Sequence, residues 1–246
     1  MLVKTEAVVL HAFKYGESRI IVDMFTRHAG RLSVIAALPK SNKSRLKKQY
    51  FQPMTLLAVE YEQHQRVQLQ KLKDARLMTA WTAIPFSAEK TSITLFVAEF
   101  LYHALRSEQQ NEPLFEYVID SMLWLDATEK GFANFHLTFL MRLSRFLGFF
   151  PNIEDGKEGE AQQLMFDLRE GRFCMVVPMH HDFLQPDETR LIHLMMRMDY
   201  PTMHLYKFSR RERRRIIEVL LNYYRLHIPQ FPELKSFSVL QELWDV

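Results

Sequence analysis

The chain has 246 residues, of which 48% are hydrophobic and 25% charged, a balance typical of globular proteins and ample for one large domain or two smaller ones. Its single cysteine excludes a disulfide framework and a cysteine-based zinc site, and its seven glycines argue against glycine-rich phosphate loops. No run of about 18 apolar residues predicts a membrane span and the N-terminus does not resemble a signal peptide, so a cytoplasmic protein is expected.

Positive charge is concentrated in two stretches of an otherwise acidic chain. Residues 24–59 contain seven basic residues and no acidic residue, and residues 207–216 contain six basic residues and one acidic residue. The remaining residues include 19 bases and 28 acids, so the net charge of +3 conceals two cationic regions. Such regions produce local fields that attract polyanions.

The first eighty or so residues have a pattern typical of five short β-strands. The turn before the third strand ends at Gly30, where a positive φ would favour glycine. In the fourth strand, Leu57, Val59 and Tyr61 share one face. The longest connection lies between the third and fourth strands and contains a basic run. A five-stranded OB barrel has this strand count and a long connection at this place, while another small β-meander or an SH3-like barrel is the alternative.

From about Ile84 the apolar residues recur at helical spacing, which predicts five helices and a short final one. Gly148 is expected to end the third helix, and Ser209 with Glu212 forms a capping box at the start of the fifth. The insert that follows the third helix is predicted to contain a hairpin turning at Glu170–Gly171.

The predicted fold class is therefore α+β with two domains. An OB-fold nucleic-acid-binding domain is expected in residues 1–82, and an α-helical domain in residues 83–246. An irregular, metal-free insert is expected within the second domain, at about residues 151–186.

Known catalytic motifs are absent from the sequence, including the P-loop, the dinucleotide-binding fingerprint, the nucleophile elbow and the H-E-x-x-H zinc motif. His180 and His181, followed by Asp182, could offer metal ligands. Adjacent residues rarely chelate one ion well, however, and no further ligand lies at a recognised spacing. Cys174 is interpreted as a buried strand thiol. These observations favour a binding protein over an enzyme, with no cofactor and no metal.

The basic run between the third and fourth strands predicts contact with phosphates, since lysine and arginine neutralise phosphates and release counterions. Tyr50 and Phe51 follow it and are candidates for stacking on bases, although neighbours in a strand point opposite ways and one ring should face the core. A solvated loop is the alternative. The candidate DNA-binding residues of this region are Arg27, Arg31, Lys40, Lys43, Arg45, Lys47, Lys48 and Tyr50.

The second cationic region lies at the N-terminus of the fifth predicted helix, where the helix dipole disfavours positive charge. A solvated face in which Glu212 and Glu218 partly pair with the arginines is one interpretation. Contact with DNA or with an acidic partner peptide is the other, and its candidate residues are Arg210, Arg211, Arg214 and Arg215.

Several segments, in this order, resemble the RecO family of bacterial recombination mediators. They are the turn YGES, the strand link T-x-x-x-G-R-L, the basic loop before FQP, the helical FLMRLSRFLGFFPNI and the closing SRRERRRIIEVLLNYYRLHIPQFPELKSFSVLQEL. Together they extend over nearly the whole chain. The resemblance implies an OB barrel followed by a helical domain, and assigns DNA contact to residues 40–48.

The resemblance also implies a role in DNA repair by homologous recombination. Members bind single- and double-stranded DNA, anneal complementary strands and recognise the C-terminal tail of single-strand-binding protein. With RecR they help RecA to replace that protein on DNA, and no nucleotide hydrolysis is attributed to them. The alternatives are a nucleic-acid-processing enzyme, a sequence-specific regulator whose arginine helix reads the major groove, and a scaffold for acidic proteins.

One departure from the family pattern concerns metal. Many members have a four-cysteine zinc module after the L-G-F-x-P stretch, but residues 152–177 of this chain contain only Cys174. A shorter hairpin without metal is therefore expected there.

Overall fold

The computed structural model describes residues 1–37, 46–64, 66–152 and 164–245, and the side chains of the last four of these are not described. The chain divides into two compact units. The first comprises Met1–Ala127 and Glu233–Trp244, and the second comprises Thr128–Pro232. None of the described helices is long and apolar enough to cross a membrane.

The first unit begins with a closed five-stranded barrel in the order β1-β2-β3-β5-β4. β3 and β5 pair in parallel, while β4 pairs antiparallel with both β5 and β1. A meander would pair consecutive strands only, so this topology confirms the OB prediction. The strands are β1 Leu2–Tyr15, β2 Arg19–Thr26, β3 Gly30–Ala37, β4 Leu56–Glu62 and β5 Leu69–Leu77.

Inward-facing residues fill the barrel. Leu57, Val59 and Tyr61 on β4 are each at most 2% exposed, which confirms that they share the core face. Gly30 has φ +65°, as its turn requires. A Cβ at Gly30 would lie 2.3 Å from the carbonyl carbon of Gln109, so both the backbone angle and the space demand glycine.

Three helices belong to the same unit as the barrel: α1 Ala88–Ala104, α2 Glu112–Ala127 and α6 Lys235–Asp245. The side chain of Ser87 accepts a hydrogen bond from the Lys90 amide and caps α1. Glu99 on α1 accepts hydrogen bonds from the amides of Lys235 and Ser236, at 3.1 and 2.7 Å, and so anchors the start of α6. The division of the sequence at residues 82 and 83 stays a prediction.

The second unit contains three helices and a small sheet of strand order β7-β6-β8. Gly148 has φ +84° just after α3, and Ser209 and Glu212 cap α5 reciprocally, as the sequence predicts. β6 and β7 form the expected hairpin, with Gly171 at φ +64° in its turn. The elements are α3 Phe135–Phe146, β6 Met165–Asp167, β7 Arg172–Cys174, β8 Phe183–Leu184, α4 Pro186–Arg197 and α5 Arg210–His227.

Candidate nucleic-acid interface

The basic run is described only at its C-terminal end. Lys40, Lys43 and Arg45 lie outside the described residues. Lys47 and Lys48 are exposed, and Lys48 begins a 3-10 turn that ends at Phe51. Two lysine ammonium groups at the edge of the barrel are thus open to solvent.

The two aromatic residues of this turn differ from the sequence interpretation. Tyr50 and Phe51 lie in the 3-10 turn and not in a strand, so their side chains do not alternate. Phe51 is 3% exposed and belongs to the barrel core, and the half-buried ring of Tyr50 packs against the same core. Both rings therefore support the barrel, and Tyr50 presents only part of its surface to a ligand.

Neighbouring strands align a row of outward-facing side chains across the barrel. Phe13 on β1 is paired with Ile21, Ile21 with Ile35, and Ile35 with Lys71 on β5. Phe13 is 42% exposed, Lys71 is exposed, and the two isoleucines between them are half-buried. The row therefore offers an aromatic ring, an apolar middle and a cation. It continues to Glu62 on β4, which is paired with Lys71 and whose carboxylate lies 2.7 Å from the ammonium group of Lys73.

A second row lies next to the first. Tyr15 is paired with Arg19, and Arg19 with Ala37, the residue that directly precedes the basic run. Tyr15 is 52% exposed and Arg19 is exposed as well. The register thus places the β1–β2 turn beside the start of the basic run. We call the outward-facing residues of both rows the upper face, namely Phe13, Tyr15, Arg19, Ile21, Ile35 and Lys71.

A register shift in β1 explains why the sequence pattern left these rings unassigned. Ala7 and Val9 face the core, and the pairing with β2 shifts between Val9 and His11. Beyond the shift Ala12 packs against the core, so that Phe13 and Tyr15 point outward. An unbroken period of two from Val9 would have placed both rings inside the barrel.

Arg27 is held by three carboxylates of its own unit. Its Nε donates to Glu6 at 2.8 Å, and its Nη1 donates to Glu112 and Glu116 at 2.7 and 3.0 Å. The guanidinium also lies 5.1 Å from the centroid of the Phe115 ring. The bonds to Glu112, Glu116 and Glu6, in that order, raise the pKa of Arg27 well above its ordinary value.

Arg31 is similarly engaged. Its side chain is 13% exposed, its Nη2 lies 3.4 Å from Asp23, and its Nη1 donates to the Tyr102 carbonyl at 3.3 Å. Burial lowers the pKa of Arg31, while Asp23 opposes that shift. Their charges are matched within the fold, which gives Arg27 and Arg31 a structural role, while their predicted contact with DNA stays a prediction.

The four candidate arginines in the first turns of α5 divide into two pairs. Arg210 and Arg211 are exposed at the beginning of the helix. Arg214 pairs with Glu218 at 3.2 Å, and Arg215 donates to Glu188 at 3.1 Å. Half of this candidate cluster is therefore neutralised by neighbouring acids, in the manner of a solvated face.

A metal or catalytic centre does not emerge from the described part of the chain. No three described His, Cys, Asp or Glu residues are grouped so as to hold a metal ion. His180 Nε2 lies 3.3 Å from Asp167, and its Nδ1 accepts from the Asp182 amide at 3.2 Å, so these residues organise the loop that leads to β8. Cys174 is half-buried, not buried as expected, and burial raises the pKa of its thiol. Residues 153–163 lie outside the description, so the expected absence of zinc stays a prediction.

The upper face brings together two kinds of group that bind single-stranded nucleic acid, namely exposed rings and cations. Cations neutralise phosphates without reading sequence, and exposed rings stack on any base. Such a combination is suited to a polynucleotide of any base sequence.

Comparison with known proteins identifies relatives along the entire chain. Residues 1–81 match the family model described as "Recombination protein O N terminal", and residues 85–236 match "Recombination protein O C terminal". The chain is 46% identical to the DNA repair protein RecO of Phocaeicola vulgatus over 244 residues, 99% of this chain and 100% of that protein. It is 45% identical to the same-named protein of Bacteroides fragilis and 33% identical to that of Porphyromonas gingivalis, in each case over the full length of both chains.

Proposed function

Because the chain belongs to the recombination protein O family of DNA repair proteins, we propose that it binds DNA at the upper face and the basic run. The observation that carries this proposal is the alignment of Phe13, Tyr15, Arg19 and Lys71 beside the start of the basic run. In this arrangement the basic run and the exposed Lys47 and Lys48 contact phosphates, while the two rings stack on unpaired bases.

We further propose that strand annealing follows from this mode of binding. Two complementary strands repel each other through their phosphates, and cations that neutralise the phosphates lower that repulsion. Contacts with the backbone and with base faces leave the hydrogen-bonding edges of the bases available for pairing. Duplex DNA binds through the same phosphate contacts.

The family membership supports a place for the protein in recombinational repair. We propose that it recognises the C-terminal tail of single-strand-binding protein and acts with RecR to help RecA onto DNA. The site of action would be the bacterial nucleoid. This is a role for a binding protein that needs no chemistry of its own.

The salt dependence of binding tests the proposal. If about five phosphates are neutralised, log K for single-stranded DNA should fall with a slope near −3.5 against log salt. Fluorescence anisotropy of a labelled oligonucleotide measures this slope. A variant with alanine at five positions should flatten the slope and lose annealing: Lys40, Lys43, Arg45, Lys47 and Lys48.

A matched control removes the same number of charges elsewhere. We expect a near-native slope when alanine replaces Lys4, Arg76, Arg172, Arg225 and Lys235, all of which are exposed. Equal effects of the two variants would show that only net charge matters and would contradict the proposed interface. Cleavage of labelled DNA with a divalent metal, or affinity that varies by several kcal/mol between duplex sequences, would instead support an enzyme or a regulator.

A further inference from the structure

A cavity of about 730 Å³ lies at the beginning of α5, within the second unit. Its volume is within the range of small-molecule sites, about 300–1,000 Å³. Its described lining has no acidic side chain. It includes two cations, Lys207 and Arg213, the rings of Tyr206 and Phe208, and the buried amide of Asn134.

The amide of Asn134 provides an acceptor in the wall of the cavity. Asn134 is 4% exposed, and its Nδ2 donates to the carbonyls of Met203 and Tyr206 at 3.0 and 2.9 Å. These two bonds fix the orientation of the amide. Its Oδ1 is buried and has no hydrogen-bond partner among the described residues. A buried acceptor in this state is unfavourable, so a ligand that donates to it gains affinity.

Arg213 contributes a donor to the same lining. Its Nη1 donates to the Phe208 carbonyl at 2.7 Å, which holds the guanidinium in place. Its Nε is buried and likewise has no partner in the described part of the chain. An acceptor and a donor without partners match a ligand edge that carries both functions, as every nucleobase does.

The entrance to the cavity is positively charged. Lys207 is exposed in the lining, and Arg210 is exposed in the first turn of α5. The 18-residue helix adds the partial positive charge of its N-terminus. Glu212, the acid of this first turn, is engaged by the amide and hydroxyl of Ser209 at 2.7 and 2.8 Å. A phosphate therefore meets cations here, and the carboxylate of this turn is already hydrogen-bonded.

Two aromatic rings complete the lining. Tyr206 and Phe208 are half-buried, with ring centroids 6.3 Å apart and planes inclined at 35°. Rings that are partly accessible and set beside cations are the usual partners of unpaired bases.

We propose that this cavity binds one unpaired nucleotide, with its base against Tyr206 or Phe208 and its phosphate at Lys207 and Arg210. The base edge hydrogen-bonds to Asn134 Oδ1 and Arg213 Nε. As a second DNA contact, this site rests on the proposed function, although it lies in a different unit from the upper face. Lys207, Arg213 and Asn134 are absent from the DNA-binding residues that the sequence predicts.

Photo-cross-linking tests the site directly. An oligonucleotide that contains 5-iodouracil is irradiated with the full-length protein, and mass spectrometry locates the attachment. We expect cross-links at Tyr206 or Phe208. Anisotropy of the same oligonucleotide is measured in parallel: binding without any cross-link at these rings overturns the inference but leaves the proposed function standing, whereas absence of binding refutes both.

Two variants that each remove one positive charge provide the matched comparison. Lys207→Gln should reduce the cross-link several-fold and lower the magnitude of the salt slope by about 0.7, the value for one phosphate on a single strand. Arg214→Gln removes the same charge from α5, but Arg214 pairs with Glu218, so cross-linking should be unchanged. Equal losses in the two variants would overturn the site.

A free nucleotide carries the same base and phosphate groups as a nucleotide within a DNA strand, and could bind in the cavity in its place. Addition of thymidine monophosphate distinguishes the two ligands, because a site for a strand should resist competition by the monomer at concentrations that match the oligonucleotide. If the monomer abolishes the cross-link at equal concentration, the cavity is a site for free nucleotide and the DNA form of the inference is wrong.

Discussion

The barrel carries its cations in two different settings. At the end near α1 and α2, Arg27 and Arg31 are drawn into bonds with Glu6, Glu112, Glu116 and Asp23. At the opposite end of β2, Arg19 faces solvent beside two exposed rings, and Lys47 and Lys48 are also exposed, at the start of the 3-10 turn. The first set stabilises the unit, and the second is available to a polyanion.

This difference shows why a charge count alone does not locate a binding surface. Both sets belong to a segment with few acids in sequence, and the acids that neutralise Arg27 come mainly from α2, 85 and 89 residues away along the chain. Charge becomes available for binding only where the fold brings no carboxylate to it. The three predictions below test the division, from the largest expected effect to the smallest.

The strongest test compares a glycine at each end of the barrel. Gly30→Ala should reduce the free energy of unfolding by about 3 kcal/mol or more, since a Cβ would lie 2.3 Å from the Gln109 carbonyl carbon and φ is +65°. Gly16→Ala has a similar φ of +64° but no atom within 4 Å, so backbone strain alone should cost about 1 kcal/mol. Urea unfolding followed by circular dichroism measures both values. Equal losses would show that the close contact at Gly30 is easily relieved.

A second test distinguishes cations that are paired within the fold from cations that are free to bind DNA. Stability and DNA affinity are both measured for each variant. Arg27→Gln leaves three carboxylates without their cation and should cost about 1–2 kcal/mol of stability, since the site is partly exposed. The folded variant should bind DNA as the native protein does. Lys47→Gln should behave in the opposite way, with stability changed by less than about 0.5 kcal/mol and a salt slope reduced by about 0.7.

Arg27→Lys serves as the control for the first of these variants. It retains the charge but loses the planar fork that reaches Glu6, Glu112 and Glu116 together, so stability should fall between the native value and that of Arg27→Gln. A loss of DNA affinity in folded Arg27→Gln, without a loss of stability, would place Arg27 in the interface after all.

Much of the architecture could be predicted from the sequence because local patterns determine it. The alternation of Leu57, Val59 and Tyr61, the glycine at position 30 and the capping box at Ser209 each follow from chemistry within a few residues. The hairpin at Glu170–Gly171 follows in the same way. Apart from the close approach of Gln109 to Gly30, these features are independent of distant parts of the chain.

The candidate site was less predictable because it depends on pairing between distant segments. Lys71 joins the upper face only through the parallel pairing of β3 and β5, which no local pattern reveals. The outward direction of Phe13 and Tyr15 could not be predicted because the register of β1 shifts. Tyr50 lies in a turn that the strand pattern did not indicate. The partners of Arg27 and Arg31 likewise required the tertiary fold.

The smallest expected effect concerns the exposed rings of the upper face. Phe13→Ala and Tyr15→Ala should each weaken binding of single-stranded DNA by about 1 kcal/mol, or about fivefold, because each removes a surface on which a base stacks. The salt slope should not change, since no charge is lost. Phe86→Ala is the control: its ring is 87% exposed but lies on a 3-10 turn after the barrel, so affinity should be unaffected.

An abasic strand should bind native protein and the Phe13 variant equally, because it has no base to stack. If Phe13→Ala weakened the abasic strand as much as the normal one, the ring would be acting through the shape of the barrel, and base stacking would have to be sought elsewhere.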